Sequence, residues 1–321
     1  MRRRLAALAL VALVAAGCGV QDDAPSAHRS TPTVPPPVAL PNRGRPGPTG
    51  LIVFTSPREE RDQLHAVLAN GFGKHPLARV EDVDVADPAF SPDGRLLTWL
   101  GRRGDVASVW VSAADGTLAE ELPGTEGGTC PSWSPDSAAV LYLAGAGTAA
   151  PSLRLAGLDG RIEVVAVPFP AAQLGCAAFL PGGRIVAERV IAPDRVELWT
   201  FPLGSDDPDR LAAVDGCRAV DPVPSPDGSL VGFTTACGAE EDEALWMVPG
   251  TGGVPAPVAM GAVGPYSWSP DGGWVVYTWT VDGGTELRVA DVDGSDVHTL
   301  VEAPSGWPTW SPPPSGGVLA P

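Results

Sequence analysis

One five-residue motif recurs along this chain at nearly constant spacing, and that period decides what the chain can fold into. It begins as Phe90-Ser91-Pro92-Asp93-Gly94 and returns as Trp133-Ser134-Pro135-Asp136-Ser137. It degrades to Phe179-Leu180-Pro181-Gly182-Gly183, then recovers as Pro224-Ser225-Pro226-Asp227-Gly228 and Trp268-Ser269-Pro270-Asp271-Gly272. A last copy is Trp310-Ser311-Pro312, and successive second positions are 43, 46, 45, 44 and 42 residues apart. In Ser-Pro-Asp-Gly, proline pre-sets φ at the first central position of a tight turn, aspartate suits the second, and glycine takes a positive φ afterwards. Each copy runs into an apolar, β-rich stretch, such as Leu96 to Trp99, Val140 to Leu143 or Val275 to Tyr277. The motif is therefore a hairpin between two strands.

A second column repeats in phase with the first. Val109-Trp110-Val111, Leu153-Arg154-Leu155, Leu198-Trp199-Thr200, Leu245-Trp246-Met247 and Leu287-Arg288-Val289 share one position, with Leu64-His65-Ala66 as a sixth copy. Several end in a turn such as Asp115-Gly116 or Asp159-Gly160, and a short fourth strand follows. Each repeat thus reads as four antiparallel strands, a to d. Such a unit, with a period in the forties, is the signature of a β-propeller blade. The fold class expected is all-β, a six-bladed propeller spanning residues 50–314. Leu51-Ile52-Val53-Phe54 has the phase of a strand b with no turn motif before it. Trp307 to Ser311 has the phase of a strand a with no strand b after it. The carboxy-terminal strand is expected to complete the first blade and close the ring.

The amino-terminal segment reads differently. Arg2-Arg3-Arg4 is a basic n-region, and Leu5 to Ala16 is apolar but too short to span a bilayer, which needs about 20 residues. Ala15-Ala16-Gly17-Cys18 resembles the lipobox of bacterial lipoproteins, which implies a signal peptide over residues 1–17 and lipidation of Cys18. Residues 18–49 are rich in proline and lack an apolar run, so they are expected to form a disordered spacer. Residues 315–321 are expected to be a disordered tail. Export would place the folded part at the outer face of the bacterial cytoplasmic membrane. The net charge is −17, and removal of the three leading arginines takes it to −20. That charge repels nucleic acid and anionic lipid; it serves solubility or attracts a cationic partner.

The aromatic-Ser-Pro-Asp-Gly repeat resembles the PD-type, WD-like repeat of TolB-like propellers over Gly50 to Pro314, nearly all of the expected folded part. TolB proteins carry an α/β domain ahead of the propeller, and the resemblance here omits it. A similar propeller gates prolyl-oligopeptidase-like enzymes, whose hydrolase domain has no counterpart in this sequence.

Apart from Cys18, four cysteines remain, and an even number in an exported chain suggests disulfides. Folding the hairpin at Ser225 to Gly228 outward brings Cys217 opposite Ala236 or Cys237, so Cys217–Cys237 is expected within one blade. Cys130 and Cys176 each stand three residues before the motif aromatic in adjacent blades. They are expected to face each other near the central channel, as a bridge or as two buried thiols.

Catalytic signatures are missing from the sequence: it contains no Gly-x-Ser-x-Gly elbow, no P-loop and no His-Glu-x-x-His. His28, His65, His75 and His298 are scattered, and no metal site or cofactor is expected. Asp291 to Asp296 superficially resembles a calcium loop but falls at a c–d turn, where Asp-Gly is the ordinary pair. Trp110, Trp199 and Trp246 share one strand position and read as core between blades. The b–c loops are more variable and carry Arg58, Arg61, Arg102, Arg103, Asp105, Arg195, Glu240, Glu241, Asp242 and Glu243. Variable loops on a rigid scaffold are where partners bind. The chain is therefore expected to be a monomeric, membrane-anchored binding or scaffold module for an envelope protein, peptide or glycan, and not an enzyme. The alternatives are a channel-sited metal-assisted hydrolase or lyase, and a sensor subunit of an envelope complex.

Overall fold

The computed structural model describes residues 47–58, 60–238, 242–282, 284–302 and 306–313; of Arg58 and Asp242 it describes the backbone alone. Cys18, Glu240, Glu241 and the expected signal peptide and tail lie outside the described residues, as does nearly all of the expected spacer. The described chain is all-β, with one short 3-10 turn at Ala171–Gln173.

The strands fall into repeating groups. The first holds β1 (Leu51–Arg58), β2 (Arg61–Leu68) and β3 (His75–Pro76). The second holds β4 (Asp84–Phe90), β5 (Leu96–Arg103), β6 (Val106–Ala113) and β7 (Glu120–Glu121). The third holds β8 (Gly128–Trp133), β9 (Ala139–Ala144), β10 (Ser152–Gly157) and β11 (Ile162–Val164). Next come β12 (Leu174–Phe179), β13 (Arg184–Ala192), β14 (Arg195–Pro202) and β15 (Asp209–Ala212). They are followed by β16 (Cys217–Pro224), β17 (Leu230–Cys237), β18 (Asp242–Pro249) and β19 (Ala256–Met260). The last are β20 (Val263–Trp268), β21 (Trp274–Val281), β22 (Gly284–Asp291) and β23 (His298–Glu302), with β24 (Gly306–Trp310) at the end. Neighbours within each group pair antiparallel, and β24 pairs antiparallel with β1 through Ile52↔Trp310 and Val53↔Thr309. A single parallel pair, Val196↔Arg218, joins β12–β15 and β16–β19 into one sheet. The fourth strands are only two to five residues long, which leaves little edge for another chain to extend.

The repeated motif forms the turn its chemistry dictates. Ser91 N donates to Leu96 O at 2.9 Å, and Leu96 N returns a bond to Ser91 Oγ at 3.0 Å. Ser91 Oγ donates to Asp93 Oδ1 at 2.7 Å, and that oxygen also accepts Arg95 N at 3.1 Å. The same arrangement recurs at Ser134, Ser225 and Ser269. Hydrogen bonds to the charged form hold the Asp136 and Asp227 carboxyls below the usual range, from Ser134 in the first case and chiefly from the Ser229 amide in the second.

Each hydrophobic cluster is shared by two successive groups. Leu141, Leu153, Phe179, Ile185 and Phe201 form one, and Val231 and Phe233 join Val186 and Leu198 in the next. Ile52, Phe54 and Val67 pack with Trp274, Val276, Leu287 and Trp310, so the last group buries apolar surface against the first. Trp110 stacks on Trp99 in the cluster with Val53, Leu64 and Leu97, while Trp199 and Trp246, partly buried, pack on the clusters around Phe179 and Phe233. Hydrogen bonds also run between the first strands of neighbouring groups. Trp133 Nε1 donates to Ala89 O at 3.0 Å and Trp268 Nε1 to Val223 O at 2.9 Å. Phe90 N donates to Thr309 Oγ1 at 3.3 Å, and Trp310 N to Ser267 Oγ at 3.1 Å. The Asp291 segment closes as a hairpin, Asp291 N to Ser295 O at 3.0 Å.

Candidate functional site

The first strand of each group breaks its register within one residue of the same place, and every break takes in the position three before the motif aromatic. Shifts fall between Ala86 and Ala89, Thr129 and Ser132, Leu174 and Ala177, Val220 and Val223, and Val263 and Tyr266. A sixth separates Gly306 from Thr309 in the β24–β1 pair. A bulge leaves residues out of the ladder and re-aims their side chains. The position three before the motif aromatic therefore carries Asp87, Cys130, Cys176, Asp221, Pro265 and Trp307. Asp87, Cys130, Asp221 and Trp307 have φ of 51°, 55°, 54° and 49°. Proline follows each of these four and neither of the other two. Proline has no ladder N–H to give and keeps its predecessor out of the right-handed helical region, so Xaa-Pro suits this kink.

Three carboxyls meet along these strands. Glu188, on β13, is 8% exposed, and its Oε1 accepts Asp221 N at 2.8 Å. Gly175 faces it closely: a Cβ there would collide with the Glu188 carboxylate. Asp221 Oδ2 is 3.5 Å from Thr234 Oγ1. Tyr266 Oη donates to Asp221 O at 3.0 Å and accepts Val223 N at 3.1 Å. Burial, and then the charge of Asp221, pushes the Glu188 carboxyl up to about 8. The same two causes push Asp87 up to about 7. Asp221 is raised as well, by the protein packed round it, with Thr234 and Arg218 pulling the other way. Yet Asp221 is exposed to solvent. A group that touches water while walled by protein on its other sides lines a narrow opening.

The expected Cys217–Cys237 disulfide forms, and of the two alternatives left for Cys130 and Cys176 the structure holds the bridge. Cys217 stands opposite Cys237 in the register and bonds to it across a Cα–Cα distance of 4.2 Å. Cys130 bonds to Cys176 between β8 and β12 at a Cα–Cα distance of 5.7 Å. Cys176 Sγ, one Glu188 oxygen and one Asp221 oxygen lie within 4.8 Å of one another.

Among the described residues, those singled out from sequence as loop residues sit at or beside the turns that join β1 to β2, β5 to β6 and β13 to β14, or at the start of β18. Several are held by partners on their own sheet or the next one. Arg61 pairs with Asp84 at 3.2 Å, and Arg103 lies 4.7 Å over the Trp110 ring and 3.4 Å from Glu121. Arg195 Nε donates to Glu197 at 3.1 Å. Arg102, Asp105 and Glu243 are exposed. Sequence reasoning missed Asp87, Glu188 and Asp221. The signal for the two aspartates was present: they occupy the same column that placed Cys130 beside Cys176. Glu188 gave no such signal, since its column elsewhere holds Thr55, Leu100, Leu143, Thr234 and Thr278.

No family model and no curated protein matches the sequence. Solved structures do match. TolB from Acinetobacter baumannii superposes at a TM-score of 0.71 with 17% identity, over 82% of this chain and 67% of its own. The fold is that of a TolB-like β-propeller. A structure described as TolB from Agrobacterium tumefaciens follows at 0.58 with 17% identity, over 81% of this chain and 90% of its own. The nidogen/laminin complex matches at 0.63 with 10% identity, over 82% of this chain and 98% of that one. β-Propellers set their sheets around a central channel, and here the bulge column, with Asp87, Asp221 and the Cys130–Cys176 bridge, runs along the first strands of the groups.

Proposed function

We propose that this propeller has six blades closed by β24, is exported and tethered through Cys18 to the outer face of the cytoplasmic membrane, and binds an envelope protein or peptide through the face that carries the b–c loops and the mouth of its channel. The β24–β1 pairing, the apolar cluster shared by the last and first groups, and the bonds from Phe90 to Thr309 and from Trp310 to Ser267 support closure. One observation carries the binding reading: Asp87 and Glu188 are held up first by burial and then by the charge of Asp221, which itself touches water. A lysine or arginine from a partner would offset that repulsion and hydrogen-bond the carboxylates. The nidogen/laminin complex is itself an assembly of two proteins, and it supplies an instance of this fold in such a setting.

A channel enzyme is the second reading, favoured by the raised Glu188 and Asp87 carboxyls, since perturbed acids gather at active sites. We prefer binding because Glu188 is already committed to the Asp221 amide of the neighbouring blade. A photo-crosslinker at Arg102 or Asp105 should capture a discrete envelope protein, and capture should fall in Asp221→Asn. Equal capture from Leu118, on the opposite face, would overturn the site. Retention of Cys18→Ser in the membrane fraction would overturn the tether.

A further inference from the structure

We propose that the channel wall has a second chemical state, in which an opened Cys130–Cys176 pair joins Glu188 and Asp221 to bind one divalent cation of the zinc class. This inference does not depend on the partner proposed above. It also amends the expectation of no metal site, which rested on the scattered histidines.

Three of the four donors are already gathered: Cys176 Sγ, a Glu188 oxygen and an Asp221 oxygen lie within 4.8 Å of one another. The fourth, Cys130 Sγ, is bonded to Cys176 Sγ and would stay beside it after the bond opens. Four-coordinate zinc holds sulfur at about 2.3 Å and carboxylate oxygen at about 2.0–2.2 Å. Its donors then stand roughly 3.4–3.8 Å apart, so the cluster needs to contract by only about an ångström. Two thiolates with two carboxylates form a donor set that this ion accepts. The acid is specific to this place. In the register, the residue three beyond the partner of the motif aromatic is Thr55, Leu100, Leu143, Thr234 or Thr278 elsewhere, and Glu188 only where Cys176 stands beside it. Asp87 adds a third carboxyl, whose interaction with Asp221 increases the local attraction for a cation.

In the bridged protein the sulfurs are bonded to each other and offer no thiolate. A dithiol of the envelope opens them by exchange. One of its thiolates attacks a protein sulfur to give a mixed disulfide, and its second thiol displaces the protein thiol. The protein gains two electrons and two protons, and the dithiol becomes its own disulfide. Metal entry then releases both thiol protons. Cys130 and Cys176 both keep solvent contact, so an exchanging thiolate can reach either sulfur of the pair; in the other bridge Cys217 is 5% exposed and Cys237 alone offers such contact.

The test uses the full folded chain, metal-free, titrated with Co2+ before and after treatment with a phosphine reductant, which takes up oxygen from water as it supplies the two electrons. One Co2+ per chain should bind only after reduction, with thiolate-to-cobalt charge-transfer absorption. Cys176→Ser should abolish that band, and Glu188→Gln should weaken binding about tenfold or more while leaving the circular dichroism of the reduced protein unchanged. The proposal is overturned if the reduced protein binds no more Co2+ than the oxidised one or if the band survives Cys176→Ser. It is also overturned if the band vanishes in the Cys217→Ser, Cys237→Ser double variant, or if reduction unfolds the chain.

Discussion

Glu188→Gln should raise the stability of the oxidised, metal-free protein at pH 8 and leave it almost unchanged near pH 4.5. The side chain is 8% exposed, and burial followed by the charge of Asp221 moves its carboxyl from 4.5 to about 8, with Arg218 and the Asp221 and Cys176 amides opposing. A raised acid means that the folded chain keeps a proton which the unfolded chain gives up. Stability from this group is therefore fully present below about 4.5, falls as pH climbs, and is gone above about 8. At about 1.4 kcal/mol per pH unit, the whole interval corresponds to about 5 kcal/mol. Asp221 opens to solvent beside it, and that screening reduces the expected gain to about 2–4 kcal/mol. Glutamine keeps the volume and an oxygen for the Asp221 amide but cannot ionise. Guanidinium denaturation of both proteins across pH 4.5 to 8 reads the difference directly. A difference that stays flat with pH, or a glutamine variant that is weaker at pH 8, refutes the reasoning.

Four further outcomes follow from the same contacts. Tyr266→Phe strips the hydroxyl that serves both Asp221 O and Val223 N, and should cost about 1–3 kcal/mol in urea denaturation. Replacing Cys217 and Cys237 together by alanine frees a loop with a sequence separation of 20 and should cost about 3 kcal/mol by the same assay. Trp310 is 3% exposed and packs β24 on Ile52 and Phe54, so Trp310→Ala should cost about 3–5 kcal/mol, and an unchanged thermal midpoint would deny that β24 closes the fold. Thr278 has a buried hydroxyl with no hydrogen-bond partner among the described residues, so Thr278→Val should leave stability equal or raise it by up to about 1.5 kcal/mol in thermal unfolding.

The all-β architecture was legible because the turn chemistry is local. Ser91, Asp93 and their counterparts bond within five residues of themselves, so the motif predicts its own structure. The disulfide between Cys217 and Cys237 was readable for a related reason: hairpin register counts outward from a turn whose position is known. The parallel contact at Val196 and Arg218 was not readable, because it joins strands from neighbouring groups and no turn fixes their relative height. Glu188 lay beyond reach for the same cause, since its meaning comes from the Asp221 amide 33 residues away. The arginines chosen for their loops illustrate the opposite error. Arg61 and Arg103 look free in sequence, yet Arg61 is matched by Asp84 on the next sheet and Arg103 by Glu121 on its own.

The kink in every innermost strand gives this architecture a row of interchangeable sockets. Its present occupants are an acid, the two halves of a disulfide, an acid, an imino ring and an indole, at residues 87, 130, 176, 221, 265 and 307. Because a kinked residue stands outside the ladder and outside the clusters between blades, its identity can change while the surrounding scaffold keeps its shape. The bore could then be rewritten one side chain at a time, which is how a single scaffold comes to serve unrelated chemistries.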